Sequence, residues 1–413
     1  MSELTFSNLG LIPELQRALL AKNYLKPTPI QARAIPPMLE GRDLLGIAQT
    51  GTGKTAAFGL PILHHLARAQ NRAERKGVRA LILAPTRELA LQIADEFRAY
   101  GKYLPFRLAV VMGGVSQGKQ VQTLRQGAEI LIATPGRLLD LMQQRCVRLD
   151  AVTHLVLDEA DRMLDMGFVR DVRRIIAALP RARQTGFFSA TMPNDVVRLS
   201  QEILNNPVRV EVTPAATTVE KVEQRVYFVN QGDKRRLLLE VLKDPALTRA
   251  IVFSRTKHQA NKVAAYLEQA GIQAAAIHGN KSQGARQAAL QNFREGRARV
   301  LVATDIAARG IDVEDVTHVI NFEIPNIPES YVHRIGRTAR AGAAGVALSF
   351  CDGSERAYLR DIERLTRTQL KVVDGHAFRD AGPETRPHEP AQRQRSFKER
   401  GRWRRGRNVR RAA

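Results

Sequence analysis

Short apolar runs rich in β-branched residues recur along this chain, and helical stretches separate them. Four of these runs occur in the first half, at 80–83, 108–111, 130–132 and 154–157. Helical patterns such as 87–100 and 169–179 lie between or after them. Runs that are apolar at every position are typical of parallel strands covered by helices on both faces. The alternation therefore predicts an α/β fold built on a parallel sheet.

The same alternation begins again after residue 220. Its runs are 250–253, 274–277, 300–303 and 318–321. Between the two series, Pro207 ends a helix, and the small polar stretch 213–218 is typical of a linker. A chain of 413 residues is long enough for two cores. We therefore expect two tandem parallel-sheet domains, at 1–210 and 220–375, joined by a short linker at 211–219.

From about residue 376 the apolar periodicity is lost. Residues 386–413 hold eleven arginines or lysines against two glutamates, together with Trp403. Such a segment cannot bury enough apolar surface to fold alone. We expect 376–413 to be a disordered, Arg-rich tail that binds polyanions, with a merely solubilising role as the alternative.

The net charge of +23 indicates the kind of partner rather than the fold. Nucleic acid is the expected partner, because neutralising phosphates releases counterions. An anionic membrane surface is the rival, but no long amphipathic helix with a basic face supports it. The two cysteines, Cys146 and Cys351, form no disulfide framework or metal-binding pattern. Without a signal peptide or an apolar run approaching ~18 residues, we expect a soluble, cytoplasmic protein.

The strongest single motif is a glycine-rich stretch that follows an apolar run and precedes a helix. Glycines let backbone N–H groups face phosphates, Lys54 can bind the β- and γ-phosphates, and Thr55 can bind Mg²⁺. Ala48 stands where the generic pattern has glycine. The predicted ATP-binding loop comprises Ala48, Gln49, Thr50, Gly51, Thr52, Gly53, Lys54 and Thr55.

An acidic run, 158–161, directly follows the apolar run that ends at Leu157. Parallel sheets bind ligands at the carboxyl ends of their strands, so Asp158 can hold Mg²⁺, largely through water. Glu159 can orient and deprotonate an attacking water. In isolation the run is better explained as an acidic helix start. With the phosphate loop upstream, it predicts an ATP hydrolysis site that uses ATP and Mg²⁺.

With these motifs the chain resembles the DEAD-box RNA helicases of superfamily two, and it is similar to their bacterial RhlE-type members, over about residues 4–370. The resemblance implies two RecA-like domains. The stretch 26–31 resembles the family's Q motif. By that resemblance Lys26 and Gln31 bind ATP, with Gln31 at the adenine edge, and Phe6 stacks on the ring. Asn23 stands where the family usually has glycine.

Other motifs of the first half match the family's RNA-contacting segments. They offer charge, hydroxyls and close main-chain approach, which suits contacts to the RNA backbone without reading of sequence. The residues concerned are Pro85, Thr86, Arg87, Gly113, Gly114, Thr134, Pro135, Gly136 and Arg137. Ser189 and Thr191 belong to a motif that, by the same resemblance, couples hydrolysis to unwinding.

In the second half, His333 opens a stretch in which Arg337 and Arg340 are three residues apart, and all three are predicted catalytic residues. On a helix two such arginines share a face and could clamp a triphosphate from the opposite domain. An arginine at the γ-phosphate is worth roughly 10³–10⁵ in rate in NTPases. Surface ion pairs are the alternative explanation. Ala339 stands where the family more often has glycine.

The remaining roles follow from the resemblance alone. Gly310 and Asp312 would face the nucleotide. The other RNA-binding residues would be Arg255, Gln283, Arg286 and Thr304.

The hypothesis is an ATP-dependent RNA helicase: RNA-stimulated ATP hydrolysis drives closure of the cleft between the domains and unwinds short duplexes or remodels RNA–protein complexes. RNA is preferred over DNA through its 2′-OH and A-form shape. The partner is structured or duplex RNA, with ribosomal precursors and the RNA-decay machinery as candidates, and the protein is a monomer. A translocating DNA helicase and an ATP-independent RNA annealing chaperone remain as alternatives.

Overall fold

The computed structural model describes residues 5–49, 51–69, 77–212, 222–308, 313, 315–339 and 345–379. These residues form two seven-stranded sheets, one after the other along the chain. Every strand pair within the two sheets is parallel. The predicted α/β class with two parallel sheets is therefore confirmed.

The first sheet has the strand order β3-β4-β2-β5-β6-β1-β7. Its strands are β1 (Leu44–Ile47), β2 (Ala80–Leu83), β3 (Leu108–Val111), β4 (Ile130–Ala133), β5 (His154–Leu157), β6 (Gln184–Ser189) and β7 (Val208–Glu211). Its helices are α1 (Pro13–Ala21), α2 (Pro29–Leu39), α3 (Lys54–Arg68), α4 (Arg87–Tyr100), α5 (Gln117–Arg125), α6 (Pro135–Gln143), α7 (Ala160–Asp165), α8 (Val169–Ala177) and α9 (Asn194–Ile203). A short 3₁₀ turn, Phe6–Leu9, precedes α1.

The second sheet repeats this order as β10-β11-β9-β12-β13-β8-β14. Its strands are β8 (Val222–Phe228), β9 (Ala250–Phe253), β10 (Ala274–Ile277), β11 (Val300–Ala303), β12 (His318–Asn321), β13 (Gly345–Cys351) and β14 (Lys371–Val372). Its helices are α10 (Lys234–Val241), α11 (Lys257–Gln269), α12 (Gln283–Arg294), α13 (Asp305–Ala308), α14 (Pro328–Ile335) and α15 (Arg356–Thr366).

Each sheet is buried on both faces, which explains the uniformly apolar runs in the sequence. Successive side chains of a strand point to opposite faces. Accordingly Ala80 and Ile82 of β2 pack in one core with residues of α2, α3 and α4, while Leu81 and Leu83 pack in a second core with residues of α6, α8 and α9. Strand β9 divides its side chains between two cores in the same way.

Strand β6 was not predicted, because half of its residues are polar. All six are nevertheless buried. The Nε2 of Gln184 donates to the carbonyl oxygens of Met38 and Arg42, both at 2.8 Å, and the backbone N of Thr185 donates to Asp43 at 2.7 Å. Buried polar groups are tolerated where they are hydrogen-bonded. Their partners lie about 140 residues away in sequence, so no local pattern indicates this strand.

The structure also bears on the segments between and after the sheets. Strand β7 extends to Glu211, one residue beyond the predicted domain limit at 210, and most of the predicted linker lies outside the described residues. At the other end, the backbone of Arg379 pairs with Val229, and Phe378 packs on the core of the second domain. Of the predicted tail, residues 376–379 thus pack on that domain and 380–413 lie outside the described residues.

Among the helices in the described part of the chain, none has the length and apolar character that crossing a membrane requires.

Candidate nucleotide and RNA sites

The predicted phosphate loop connects β1 to α3 at the carboxyl end of the strand. Gly51 and Gly53 adopt left-handed backbone conformations, with φ of 83° and 89°, which glycine tolerates best. Lys54 is buried, and its Nζ donates to the carbonyl oxygen of Ala48 at 2.8 Å. Thr52 donates to the carbonyl of Gln49 at 2.7 Å. The loop therefore folds around the lysine; Thr50 lies outside the described residues.

The predicted Q motif touches the phosphate loop directly. Gln31 is buried, and its Oε1 accepts from the backbone N of Thr28 at 2.9 Å, which caps α2. Its Nε2 donates to the carbonyl oxygen of Gly53 at 3.1 Å. A Cβ added to Gly53 would lie 2.3 Å from that Nε2, so the contact requires glycine. Lys26 is exposed, and Phe6 is buried in the core beside α2.

The acidic run begins where β5 ends. Asp158 and Glu159 are both buried, and Glu159 adopts the left-handed conformation, with φ and ψ both 52°. Burial raises the pKa of Asp158 to about 6, against the opposing effect of Lys54. Burial would also raise the pKa of Glu159, but Arg162, Lys54 and Arg337 together lower it. Glu159 is therefore held in its ionised form.

The donor set around Asp158 fits Mg²⁺ held largely through water. Among the residues that the structure describes, no group of three or more His, Cys, Asp or Glu side chains could hold a metal ion by itself. Mg²⁺ takes few protein ligands and completes its shell with water and phosphate oxygens. One carboxylate, Asp158, and one hydroxyl, Thr55, next to Lys54 meet that requirement.

The last residue of the acidic run, Asp161, is hydrogen-bonded to the motif that is predicted to couple ATP hydrolysis to unwinding. Asp161 Oδ2 accepts from both the backbone N and the Oγ1 of Thr191, at 2.9 and 2.8 Å. The backbone N of Asp161 donates to Ser189 Oγ at 3.3 Å. The structure thus brings Ser189 and Thr191 to the acidic run. Asp161 was not among the predicted site residues, although its place in the run was a usable signal.

In the second domain a buried arginine, not predicted as a site residue, organises the cleft. The Nε and Nη2 of Arg334 donate to both carboxylate oxygens of Asp305, at 2.6 and 2.8 Å. Its Nη1 donates to Asn321 and to the carbonyl of Glu323, and its guanidinium lies over the ring of Phe253. Arg334 thereby ties α14 to α13 and β12.

Arg337 lies beyond the helix that the spacing argument assumed. Helix α14 ends at Ile335 with Gly336 as its cap, so a shared helical face for Arg337 and Arg340 does not follow, and that part of the prediction was wrong. The chain turns instead, and Ala339 has a φ of 55°. Arg337 is buried and lines a small cavity with His333 and, from the first domain, Arg162. Arg340, Gly310 and Asp312 lie outside the described residues.

Farther along the same carboxyl edge of the sheet, after β2 and β4, the predicted RNA motifs of the first domain lie at two helix N-termini. Thr86 caps α4, with its Oγ1 accepting from the backbone N of Leu89 at 3.2 Å. Thr134 precedes α6, which begins with Pro135 and Gly136. Helix N-termini attract phosphates through unpaired N–H groups and the helix dipole. Pro85 is buried at the end of β2.

Two arginines accompany these helix ends. A Cβ at Gly114, whose φ is 73°, would lie 1.9 Å from Nη1 of Arg87, so the glycine pair 113–114 makes room for that side chain. Arg137 donates to the carbonyl of Val115 at 3.3 Å. Burial is the main effect that lowers the pKa of Arg87, and the positive charges of Arg286 and Arg137 lower it further. The negative charge of Glu88 acts in the opposite direction but is too weak to cancel these effects. Arginines of both domains therefore share this surface.

Two residues predicted to bind RNA, Gln283 and Arg286, contact the first domain. Arg286 Nη2 lies 2.8 Å from Glu88 Oε2, and Gln283 Nε2 donates to Glu88 Oε1 at 3.2 Å. All three side chains are buried. This contact joins α12 to α4 beside Arg87. Glu88 was not among the predicted site residues, although it lies within the motif 85–90 that contributes Pro85, Thr86 and Arg87.

The two remaining candidates also have protein neighbours. Arg255 donates through Nη2 to Glu355 at 2.7 Å and through its backbone N to Glu323 at 2.8 Å. Thr304 lies immediately before α13, and its carbonyl accepts from the backbone N of Ala308 at 2.9 Å.

Fold and sites together define a two-domain ATPase in which Arg162, next to the acidic run, and Arg337 of the second domain line one cavity. Residues 28–199 match the family model of the DEAD/DEAH box helicases, and residues 233–342 match the helicase conserved C-terminal domain. The ATP-dependent RNA helicase CshA of Listeria monocytogenes is 42% identical over 378 residues, which cover 91% of this chain and 71% of that protein.

Two solved structures resemble the whole arrangement. S. cerevisiae Dbp5 bound to RNA and ADP BeF3 has a TM-score of 0.78 at 33% identity, covering 89% of this chain and 95% of that one. Mss116p bound to ssRNA and AMP-PNP has a TM-score of 0.81 at 28% identity, covering 91% and 80%. The predicted tandem RecA-like fold is therefore confirmed.

This chain belongs to the DEAD-box family of ATP-dependent RNA helicases, enzymes that hydrolyse ATP. The finer resemblance to RhlE-type members stays a prediction, since the relative described above carries the name CshA.

Proposed function

We propose that this chain binds RNA across both domains and ATP in the cleft between them, and that hydrolysis drives local separation of short RNA duplexes or remodelling of RNA–protein complexes. One observation carries the proposal: both sites draw on both domains. Arg337 of the second domain acts on the pKa of Glu159, and Arg286 of the second domain pairs with Glu88 beside Arg87. Two ligands that each need the same closed arrangement bind cooperatively, by reciprocal linkage.

On the ATP side, each side chain has a role that its position supports. Lys54 would exchange the carbonyl of Ala48 for phosphate oxygens. Glu159, ionised and buried, would orient the attacking water and accept its proton. Arg337, with Arg340, would stabilise charge on the transferred phosphoryl group. Mg²⁺, held by Asp158 and Thr55 largely through water, would neutralise charge on the phosphates.

On the RNA side, the N-termini of α4 and α6 with Arg87 and Arg137 would hold backbone phosphates of one strand. These groups position a strand without reading its bases. The neighbouring structures of Dbp5 and Mss116p, which are bound to RNA, support RNA as the partner of this chain. Gln283 and Arg286 would act there mainly by joining the domains, since their side chains bind Glu88.

We further infer a first domain up to Glu211, a second domain from Val222 to Arg379, and a basic tail from residue 380. Monomeric state, cytoplasmic location, and ribosomal precursors or the RNA-decay machinery as cellular partners remain predictions.

The test is strand displacement and ATP hydrolysis with RNA and with single-stranded DNA. Lys54→Ala and Glu159→Gln should each abolish both activities, because they remove phosphate binding and the general base, the latter worth about 10²–10⁴ in rate. The exposed residues Lys102 and Glu202 supply the controls Lys102→Ala and Glu202→Gln, which should behave as wild type.

Two results would overturn the proposal. If displacement survives Lys54→Ala or Glu159→Gln, the protein anneals or separates strands without ATP chemistry. Equal stimulation of hydrolysis by RNA and by single-stranded DNA would instead favour a DNA helicase.

A further inference from the structure

Arg162 follows the acidic run, and the scheme above gives it no role. Its side chain is 5% exposed, and its Nη1 lies 2.5 Å from Oε2 of Glu159, whose side chain is 3% exposed. Exposed ion pairs contribute little, but a buried carboxylate is costly unless it is paired and hydrogen-bonded. Arg162 therefore supplies the hydrogen-bonded cation that the buried carboxylate of Glu159 needs.

The backbone of Glu159 increases the need for that partner. A non-glycine residue in the left-handed conformation costs roughly 1–3 kcal/mol and persists only where its surroundings hold it. Glu159 has this conformation and immediately precedes α7, so the spacing of three residues places Arg162 on the first turn of the helix. The ion pair thus joins the strained residue to the helix that follows it.

The other side of Arg162 faces the second domain. It lines a cavity of about 10 Å³ together with Asp305, His333 and Arg337, all of which belong to the second domain. Asp305 is held on both oxygens by Arg334. Arg162 is the first-domain residue of that cavity, so its surroundings are complete only when the two domains meet.

We propose that Arg162 is a positioning residue that fixes the carboxylate of Glu159 for the attacking water, and that docking of the second domain locks Arg162 in place. The orientation of the base then depends on closure of the cleft. This inference rests on the proposed function, in which Glu159 is the general base.

The test is a double-mutant cycle on RNA-saturated ATP hydrolysis with Arg162→Gln and Glu159→Gln. Displacing a catalytic group by about 1 Å can cost about 10²-fold, so Arg162→Gln should lower kcat by about that factor and change KM for ATP less than about threefold. In the Glu159→Gln background, measured by single turnovers, Arg162→Gln should add less than about twofold, since residues that act as a unit are not additive.

Two further variants make the result decisive. Arg162→Lys keeps the charge but not the planar fork, so it should retain about a tenth of wild-type kcat. If thermal unfolding shows that Arg162→Gln does not fold, the same cycle is run with Arg162→Lys, whose loss should vanish beside Glu159→Gln. Arg174→Gln, at an exposed arginine of α8, is the control and should behave as wild type.

The outcomes separate the two hypotheses. If Glu159→Gln leaves kcat unchanged, the assignment of the base fails, and this inference fails with it. If Glu159→Gln abolishes turnover but Arg162→Gln leaves kcat intact, raises only KM, or multiplies the loss in the double variant, only the role of Arg162 is overturned.

Discussion

At the scale of single residues, the sites depend on close approaches that only certain residue types permit. Gly114 is the clearest example. Its φ is 73°, which disfavours residues with a side chain, and a Cβ added there would lie 1.9 Å from Nη1 of Arg87. The obstructed atom belongs to the end of a flexible side chain. A substitution there would therefore move Arg87 rather than disrupt the fold.

We expect Gly114→Ala to weaken RNA binding several-fold and to reduce its salt dependence by about one phosphate contact, with RNA-saturated hydrolysis nearly unchanged. Fluorescence anisotropy at several salt concentrations measures both quantities. Gly271→Ala is the matched control, because Gly271 has a similar φ of 78° but nothing within 4 Å of its added Cβ. A uniform loss of affinity in both variants would mean that backbone strain, and not Arg87, is responsible.

Individual buried charges were also the hardest residues to predict. The phosphate loop and the acidic run are visible in the sequence because their chemistry lies in consecutive residues. Arg334 and Glu88 have partners 29 and 198 residues away, Asp305 and Arg286 respectively, so their roles appear only after folding.

At the scale of elements, three histidines join the far ends of α3 and β5, away from the phosphate loop. His65 Nδ1 lies 3.1 Å from His154 Nε2, and His65 Nε2 lies 3.0 Å from the carbonyl of Leu39. A carbonyl only accepts, so His65 Nε2 must carry a proton in that contact, and one of the two facing ring nitrogens of His65 and His154 must donate to the other. His64 packs against His65 edge to face.

This pairing predicts a loss of stability in acid. Burial, with the neighbouring charges of His65 and Arg79, lowers the pKa of His154 from 6.5 to about 3. The unfolded chain binds the proton first, so this contribution to stability is complete above pH 6.5 and declines as the pH falls toward 3. We expect a cost of at most about 1.4 kcal/mol per pH unit from this group.

Thermal unfolding between pH 7 and 5 tests the prediction. His154→Gln, which retains a donor and an acceptor, should flatten the pH dependence relative to wild type. His258→Gln, at an exposed histidine, should leave the wild-type slope unchanged. Since the other buried histidines remain in both variants, identical slopes in wild type and His154→Gln would contradict the assignment.

Prediction at this scale was good wherever a strand contains consecutive apolar residues, even where a polar residue stands at its end, as in β5 and β12. The bounds of β2, β3 and β5, and those of β9 to β12, coincide with the runs read from the sequence. Strand β6 was not predicted, because its buried polar residues give no periodic apolar pattern. The end of α14 was not predicted, because a short turn gives no such pattern either.

At the scale of the whole molecule, the pair between Glu88 and Arg286 joins the two domains beside the predicted RNA surface. Because it forms between domains and is buried, it should contribute to the coupling between RNA and ATP. An ATP analogue should tighten RNA binding to the wild-type protein by a factor of about 5–150, the usual range for such coupling. We expect this factor to be smaller in Glu88→Gln.

RNA affinity with and without the analogue measures that factor. Glu96→Gln is the control on the same helix, because Glu96 pairs with Lys22 within the first domain. If Glu88→Gln weakens RNA binding equally with and without the analogue, the pair stabilises the RNA surface but does not couple the sites.

The sequence by itself determined the two parallel sheets, the phosphate loop and the acidic run, because consecutive residues suffice to specify a buried strand or a glycine-dependent loop. Tertiary structure decided which distant side chains complete those motifs. Thr191 on Asp161 and Arg286 on Glu88 both satisfy buried charges. The partner of a buried charge depends on which elements fold against it, and that is fixed by packing rather than by any local pattern.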